Sequence, residues 1–144
     1  MKKTKRIVVV GSINLDLVAS SERIPSPGET ILGDRFQTFF GGKGANQAVA
    51  VGRLGHPVSM IWKVGDDSFG EQLRAALIEA GVDCSGVGTA PGSSGVAVIA
   101  TSRSGENRII VVPGANARVL PEDLTPHREL IATAGMILTQ LETP

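Results

Sequence analysis

Chemistry is densest at Gly41-Gly42-Lys43-Gly44-Ala45-Asn46. Several glycines ahead of a helix let a ligand approach the backbone closely. The first N–H groups of that helix, with its dipole, favour oxygen-rich or anionic ligands. Lys43 adds a positive charge, and Asn46 adds a donor and an acceptor one turn further on. Two common phosphate loops are excluded. Lys43 is followed by Gly44 rather than Ser or Thr, so this is not a Walker A loop, and Gln47 stands where a dinucleotide fingerprint needs its third glycine. A second reading stays open, in which the glycines only let the helix pack on a strand.

Asn14 and Asp16 follow the β-branched run at residues 7–11, at the edge where open α/β sheets place ligands. At i and i+2 on a strand, two short polar side chains face one way and can hold a polyol; such residues also serve turns. Glu142 follows the last apolar run and lies at the same edge, or is simply an exposed carboxylate. Asp66 and Asp67 could hold Mg²⁺ or complement the N-terminus of the helix behind them, and the second reading is preferred. His56 and His127 have no Cys, His or carboxylate at ligand spacing. Cys84 reads as a passive thiol in a polar loop, with no basic neighbour to lower its pKa.

The elements that must position these groups follow from pattern. Strands are predicted at residues 7–11, 16–20, 58–64, 95–101, 108–112 and 136–141, with mixed strand character over 30–40. Ala45, Ala48, Val49 and Gly52 fall on one helical face, and Gly55 and Pro57 stop that helix. Ser68 and Glu71 read as a capping box for a helix with Leu73, Ala76 and Leu77 inward and Gly81 beyond its end. Thr125-Pro126 is predicted to cap a last helix, with Leu130, Ile131 and Ala134 inward and Gly135 as its stop. Strand–helix–strand alternation gives an α/β fold with a parallel sheet, and the hairpin-like segments form a small antiparallel appendage.

Composition removes whole classes of function. Lys plus Arg and Asp plus Glu are both 14, so nothing in the charge favours nucleic acid or an anionic membrane. The single cysteine excludes an internal disulfide framework and a multi-cysteine zinc site. No apolar stretch approaches the ~18 residues of a transmembrane helix. The basic start at residues 2–6 reads as a solvated tail before a buried strand, since the apolar run is too short for a signal peptide.

Six segments together carry a family resemblance: Gly11-Ser12-Ile13-Asn14-Leu15-Asp16, Pro27-Gly28-Glu29-Thr30, Phe40-Gly41-Gly42-Lys43-Gly44-Ala45-Asn46-Gln47-Ala48, Val64-Gly65-Asp66-Asp67-Ser68-Phe69-Gly70, Gly114-Ala115-Asn116 and Gln140-Leu141-Glu142. In this order, across nearly the whole chain, they resemble the ribokinase-like carbohydrate kinases, the PfkB family. The resemblance implies a doubly wound, mostly parallel, Rossmann-like sheet with a small antiparallel β-sheet lid. Residues 1–144 would be the N-terminal portion of one such domain, a truncated ribokinase-like fold, with lid strands at about 16–40 and 95–112.

The activity so implied is transfer of the γ-phosphoryl group of ATP to the 5-hydroxyl of D-ribose. Mg²⁺ and a monovalent cation such as K⁺ would assist, in the cytoplasm, in a homodimer joined through the lid, with neither nucleic acid nor membrane as partner. Asp16 would accept hydrogen bonds from ring hydroxyls. Asn14, Lys43 and Asn46 would complete the cradle, with the Gly41 and Gly42 backbone against the sugar. Glu142 would close the far side, and Ala97 and Val111 would cover it.

The family's catalytic base is the Asp of a Gly-Ala-Gly-Asp motif, which this sequence lacks. No Asn has Glu three residues later, so the family's Asn-x-x-Glu segment, tied to Mg²⁺ and phosphate, is absent too. The resemblance therefore assigns no catalytic, nucleotide or metal residue to this chain. The competing readings are a non-catalytic sugar-binding or lid-mediated interaction module, and a kinase for another sugar or a nucleoside. Phosphoryl transfer depends on positioning and on electrostatic stabilisation of the moving group. The 144-residue chain alone is thus expected to give no turnover above background in a coupled ADP-release assay with D-ribose.

Overall fold

The computed structural model describes residues 4–144, so residues 1–3 of the basic tail lie outside the described residues. Two four-stranded sheets organise the chain. The first holds β1 (Ile7–Val10), β4 (Val58–Gly65), β5 (Asp83–Ala90) and β8 (Met136–Thr139) in the order β5-β4-β1-β8, all parallel. The second holds β2 (Asn14–Ser21), β3 (Arg35–Gly41), β6 (Gly95–Ser102) and β7 (Asn107–Val112) in the order β3-β2-β6-β7.

The first sheet is a covered parallel sheet. Val8 and Val9 are fully buried, as are Val58 to Trp62 on β4, so both faces of its middle strands are packed. From β1 the chain runs through α1 (Lys43–Arg53) to β4 and through α2 (Ser68–Glu79) to β5, then returns to the far side of β1 as β8. Right-handed crossovers place α1 and α2 on one face and the returning segment on the other. The crevice between the ends of β1 and β8 is therefore a topological switch point. Leu73 and Leu77 of α2 and Ala45 and Ala48 of α1 complete the core around Met60, Ile13 and Leu15.

The second sheet is mixed, which corrects the predicted antiparallel lid. β2–β3 and β6–β7 are antiparallel hairpins, but β2 and β6 join them in parallel, with Asn14 opposite Gly95 and Asp16 opposite Ala97. The cause is topological. β2 and β6 each leave the same edge of the parallel sheet, from β1 and β5, so they run the same way and only their partners return.

Other boundaries move for identifiable reasons. β5 is unpredicted, and Cys84 lies on it rather than in a loop. The cap of α2 is Asp67, one residue ahead of the predicted Ser68: its Oδ1 accepts from Gly70 N at 2.8 Å. The last helix is broken into α3 (Pro121–Leu124), a 3₁₀ turn (Thr125–His127) and α4 (Arg128–Thr133), because Pro126 has no N–H to give the helix. β3 begins only at Arg35, and β8 ends at Thr139 as an edge strand with Met136 and Ile137 about half exposed. Among the described residues no helix is long and apolar enough to cross a membrane.

At the opposite edge of the sheet from the switch point, Arg6, Ser59 and Asp83 tie β1, β4 and β5 together. Arg6 Nη1 donates to Ser59 Oγ at 2.6 Å and ion-pairs with Asp83, and Ser59 Oγ donates to Asp83 Oδ2 at 2.9 Å. Burial pushes the Asp83 carboxyl up, but hydrogen bonds from Ser85, Ser59 and Arg6 outweigh it and hold the group below its ordinary range. A folded-state pKa below the unfolded one stabilises the fold at neutral pH, and that stability is lost as pH falls through the folded value. Wild type should therefore exceed Asp83→Asn in urea stability at pH 7, and the gap should close below about pH 4.

Candidate functional site

The site is built where two chain crossings meet. Gly11 to Ile13 carries the chain from β1 up to β2, and Gly41 to Lys43 brings it back from β3 into α1. Glycine is required for the two to touch. Gly42 has φ +91°, and a Cβ there would stand 2.5 Å from Ser12 O and 2.8 Å from Asn14 N. A Cβ at Gly44 would lie 2.7 Å from Gly11 Cα, and one at Gly41 would lie 2.7 Å from the Asp16 carboxyl carbon. These glycines thus pack chain on chain, and that same packing seats Asp16 beside the loop.

Ser12 takes over the start of α1. Its carbonyl accepts from Ala45 N at 3.0 Å and its Oγ from Lys43 N at 3.1 Å, where Gly42 has no side chain to cap with. Two of the N–H groups offered to an anionic ligand are therefore already used. Ser12 Oγ donates to Glu142 Oε2 at 2.8 Å, and Glu142 also ion-pairs with Lys43 Nζ. The Lys43 ammonium, with help from Ser12 and against the effect of burial, holds the Glu142 carboxyl below its usual range. Glu142 and Lys43 thus meet across the switch point, 99 residues apart in sequence.

Asp16 is half-buried and has no hydrogen-bond donor among the described residues; burial pushes its carboxyl up. Across the second sheet it stands beside Ala97, which in turn faces Val111, so the three share one face. Ala97 is buried and Val111 is exposed. Asn14 lies one strand repeat below Asp16 on that face, and Asn116 Nδ2 donates to its Oδ1 at 2.7 Å. Asn46 is exposed, its side chain unpaired among the described residues.

A cleft of about 720 Å³ between β3, α1 and α2 reaches Asn46, Phe39 and Phe40 but none of Asn14, Asp16, Lys43 or Glu142. Its position away from the switch point and its apolar walls separate it from the polar cluster.

Two residues of the cluster escaped assignment in the sequence. Ser12 and Asn116 both fall in segments that carry the family resemblance, but the sequence assigned neither a role; only tertiary contact does. The other candidates are structural. Asp66 Oδ1 accepts from Gly92 N at 2.6 Å, and Asp67 accepts from Ser94 N at 2.9 Å while capping α2. Burial pushes the Cys84 thiol up to about 11, with Arg74 opposing and Asp83 adding. His56 Nε2 lies 3.0 Å from Lys5 O. Ser12→Ala deletes both Oγ bonds and should cost about 1–3 kcal/mol in urea unfolding, the loss of two net hydrogen bonds.

A family model described as "pfkB family carbohydrate kinase" matches residues 4–143. The chain is 45% identical over 140 residues to the ribokinase of Lactococcus lactis, covering 96% of this chain and 46% of that protein. It is 46% identical over 145 residues to the ribokinase of Schizosaccharomyces pombe, with the same two coverages of 96% and 46%. Among solved structures, Arabidopsis thaliana ribokinase complexed with ribose and ATP matches 99% of this chain and 47% of its own, with a TM-score of 0.85 at 36% identity. The chain spans about half the length of the curated relatives it matches. The fold is thus shared with the solved Arabidopsis thaliana relative, and the chain belongs to the pfkB family of carbohydrate kinases.

Proposed function

We propose that this chain supplies the sugar-recognising part of an ATP-dependent kinase that phosphorylates the 5-hydroxyl of D-ribose. The observation that carries the reading is Asp16: a half-buried carboxylate without a protein donor, on a sheet face over the switch point, with Asn14 on the same strand. An ionised carboxylate can only accept hydrogen bonds, and one left reachable and free of protein donors is suited to a ligand that brings hydroxyl hydrogens. The relatives named ribokinase, one of them solved with ribose and ATP, support the choice of sugar and nucleotide.

In this reading Asp16 accepts from ring hydroxyls, and Asn14, Lys43 and Asn46 complete the polar cradle. The Gly41–Gly42 backbone lies against the sugar, Glu142 closes the far side, and Ala97 and Val111 cover it. Family chemistry adds Mg²⁺ and K⁺ in a cytoplasmic enzyme. The family motifs for the catalytic base and for Mg²⁺ and phosphate do not occur in this sequence, so this reading assigns no residue of the chain to either ion, to ATP or to the base. Homodimerisation through the lid is supported by the opposite face of the second sheet, where Phe40, Val98, Ile110 and Val112 are all exposed.

The test is calorimetric titration of D-ribose into the folded protein. Wild type should bind saturably, and Asp16→Ala should lose at least tenfold in affinity, about 1.4 kcal/mol. Because the Asp16 carboxyl is pushed up, binding should weaken on acidification at a higher pH than an ordinary Asp would give, and Asp16→Asn should abolish that pH dependence. Absence of ribose binding, or equal binding by Asp16→Ala, would sink the reading.

A further inference from the structure

Asn116 is nine-tenths buried, and both ends of its amide are committed. Its Oδ1 accepts from Ile13 N at 2.9 Å and from Trp62 Nε1 at 2.6 Å. A backbone N–H and an indole N–H can only donate, so the oxygen must face them and the amide cannot be turned round. Its Nδ2 consequently faces Asn14 Oδ1 at 2.7 Å, Pro113 O at 3.0 Å and Ile13 O at 3.1 Å, all acceptors. The hydrogen-bond direction then propagates. Asn14 must present its oxygen to Asn116, which leaves its own Nδ2 pointing away, with no partner among the described residues and open to solvent.

Space at this contact is reserved. A Cβ on Gly95, opposite Asn14 in the parallel pair, would overlap both Asn116 Nδ2 and Asn14 Oδ1 and stand 2.8 Å from Ile13 O. The three strand crossings therefore meet around one amide–amide bond.

We infer that Asn116 is a positioning residue that fixes the Asn14 side chain as a hydrogen-bond donor toward the sugar site, so that the hydroxyl meeting Asn14 must accept. This rests on the ribose reading above for the identity of the ligand, but not for the orientation itself. The consequence is a polarity rule. Asn14 offers hydrogens and Asp16, two residues along and roughly 6.6 Å up the same strand face, offers only lone pairs. A neighbouring pair of sugar hydroxyls satisfies both, one taking a hydrogen from Asn14 and one giving its hydrogen to Asp16. A ligand with an acceptor that is also charged negative at the Asp16 end is refused.

The experiment is side-chain amide NMR on the ¹⁵N-labelled protein at its native length, with D-ribose as the probe, alongside ribose affinities for a double-mutant cycle. In wild type without sugar, the Asn14 Nδ2 hydrogens should exchange fast with water and those of Asn116 slowly; ribose should then slow the Asn14 exchange. Asn116→Asp places an oxygen where Nδ2 was, so Asn14 should turn to donate inward and its exchange should slow without sugar. Ribose affinity should fall at least tenfold in Asn116→Asp when residue 14 is Asn, and less than about twofold in the Asn14→Ala background, the coupling expected of one residue acting through another.

Slow Asn14 Nδ2 exchange in sugar-free wild type, or an equal affinity loss in both backgrounds, would overturn the inference. Should Asn116→Asp fail to fold, the wild-type exchange pattern alone decides it. Fast Asn14 exchange in a protein that binds no ribose upholds the orientation and removes the ribose reading instead.

Discussion

Everything in the site depends on two backbones lying against each other. The outgoing crossing at Gly11–Ile13 and the incoming one at Gly41–Gly44 approach so closely that side chains on Gly42 or Gly44 would overlap the facing main chain. That contact fixes where α1 begins, and α1 in turn brings Lys43 to the end of β8. It also fixes the start of β2, and with it the heights of Asn14 and Asp16. Ser12 holds the contact with side-chain and main-chain bonds at once. An exposed ion pair such as Lys43–Glu142 is worth only ~0–1 kcal/mol by itself. Its value here is geometric, since it joins the last strand to a helix start that Ser12 has already set.

The lid is joined to the core by polar clamps as well as by the apolar packing of Leu15 and Leu17. Four chain passages run between the two sheets, and each is pinned. Ser94, fully buried, donates to Asp67 and accepts from Gly65 N at 2.9 Å, which fixes the passage into β6. Asn116 fixes the passage out of β7 and reaches across to the passage into β2. Asp67 and Asn116 therefore serve the same end. Burial favours the neutral form of Asp67, and its bonds to Ser94 and Gly70 outweigh that and keep the carboxyl below its usual range, as expected of a group that caps a helix and braces a crossing together. Such networks are costly when incomplete, which gives the base of the lid one strongly preferred geometry.

How much of this was legible in the sequence follows from what each signal depends on. The parallel core was readable because β-branched runs and i, i+3, i+4 faces are local patterns. So was the meeting of Lys43 with Glu142, since one stands at a helix start and the other just past a strand end. The purpose of the glycines was not readable, because it lies in the facing chain some thirty residues away. β5 was hidden because Asp83–Ala90 contains Gly86 and Gly88 and no alternation; pairing with β4 makes it a strand, not propensity. The mixed second sheet was hidden because each hairpin is local, whereas the parallel β2–β6 pair arises only from where β1 and β5 end.

The register of β2 carries a consequence for how the gene can vary. Leu15 and Asp16 are adjacent, yet one is sealed in the core and the other faces the site, because successive residues of a strand alternate. Point substitutions along β2 therefore act by degrees, each on its own face. Adding one codon between Asn14 and Leu15 does not act by degrees. It turns the carboxylate into the apolar core and the leucine out toward the site, and shifts every later residue of the strand with them. The strand is tolerant in spelling and intolerant in length.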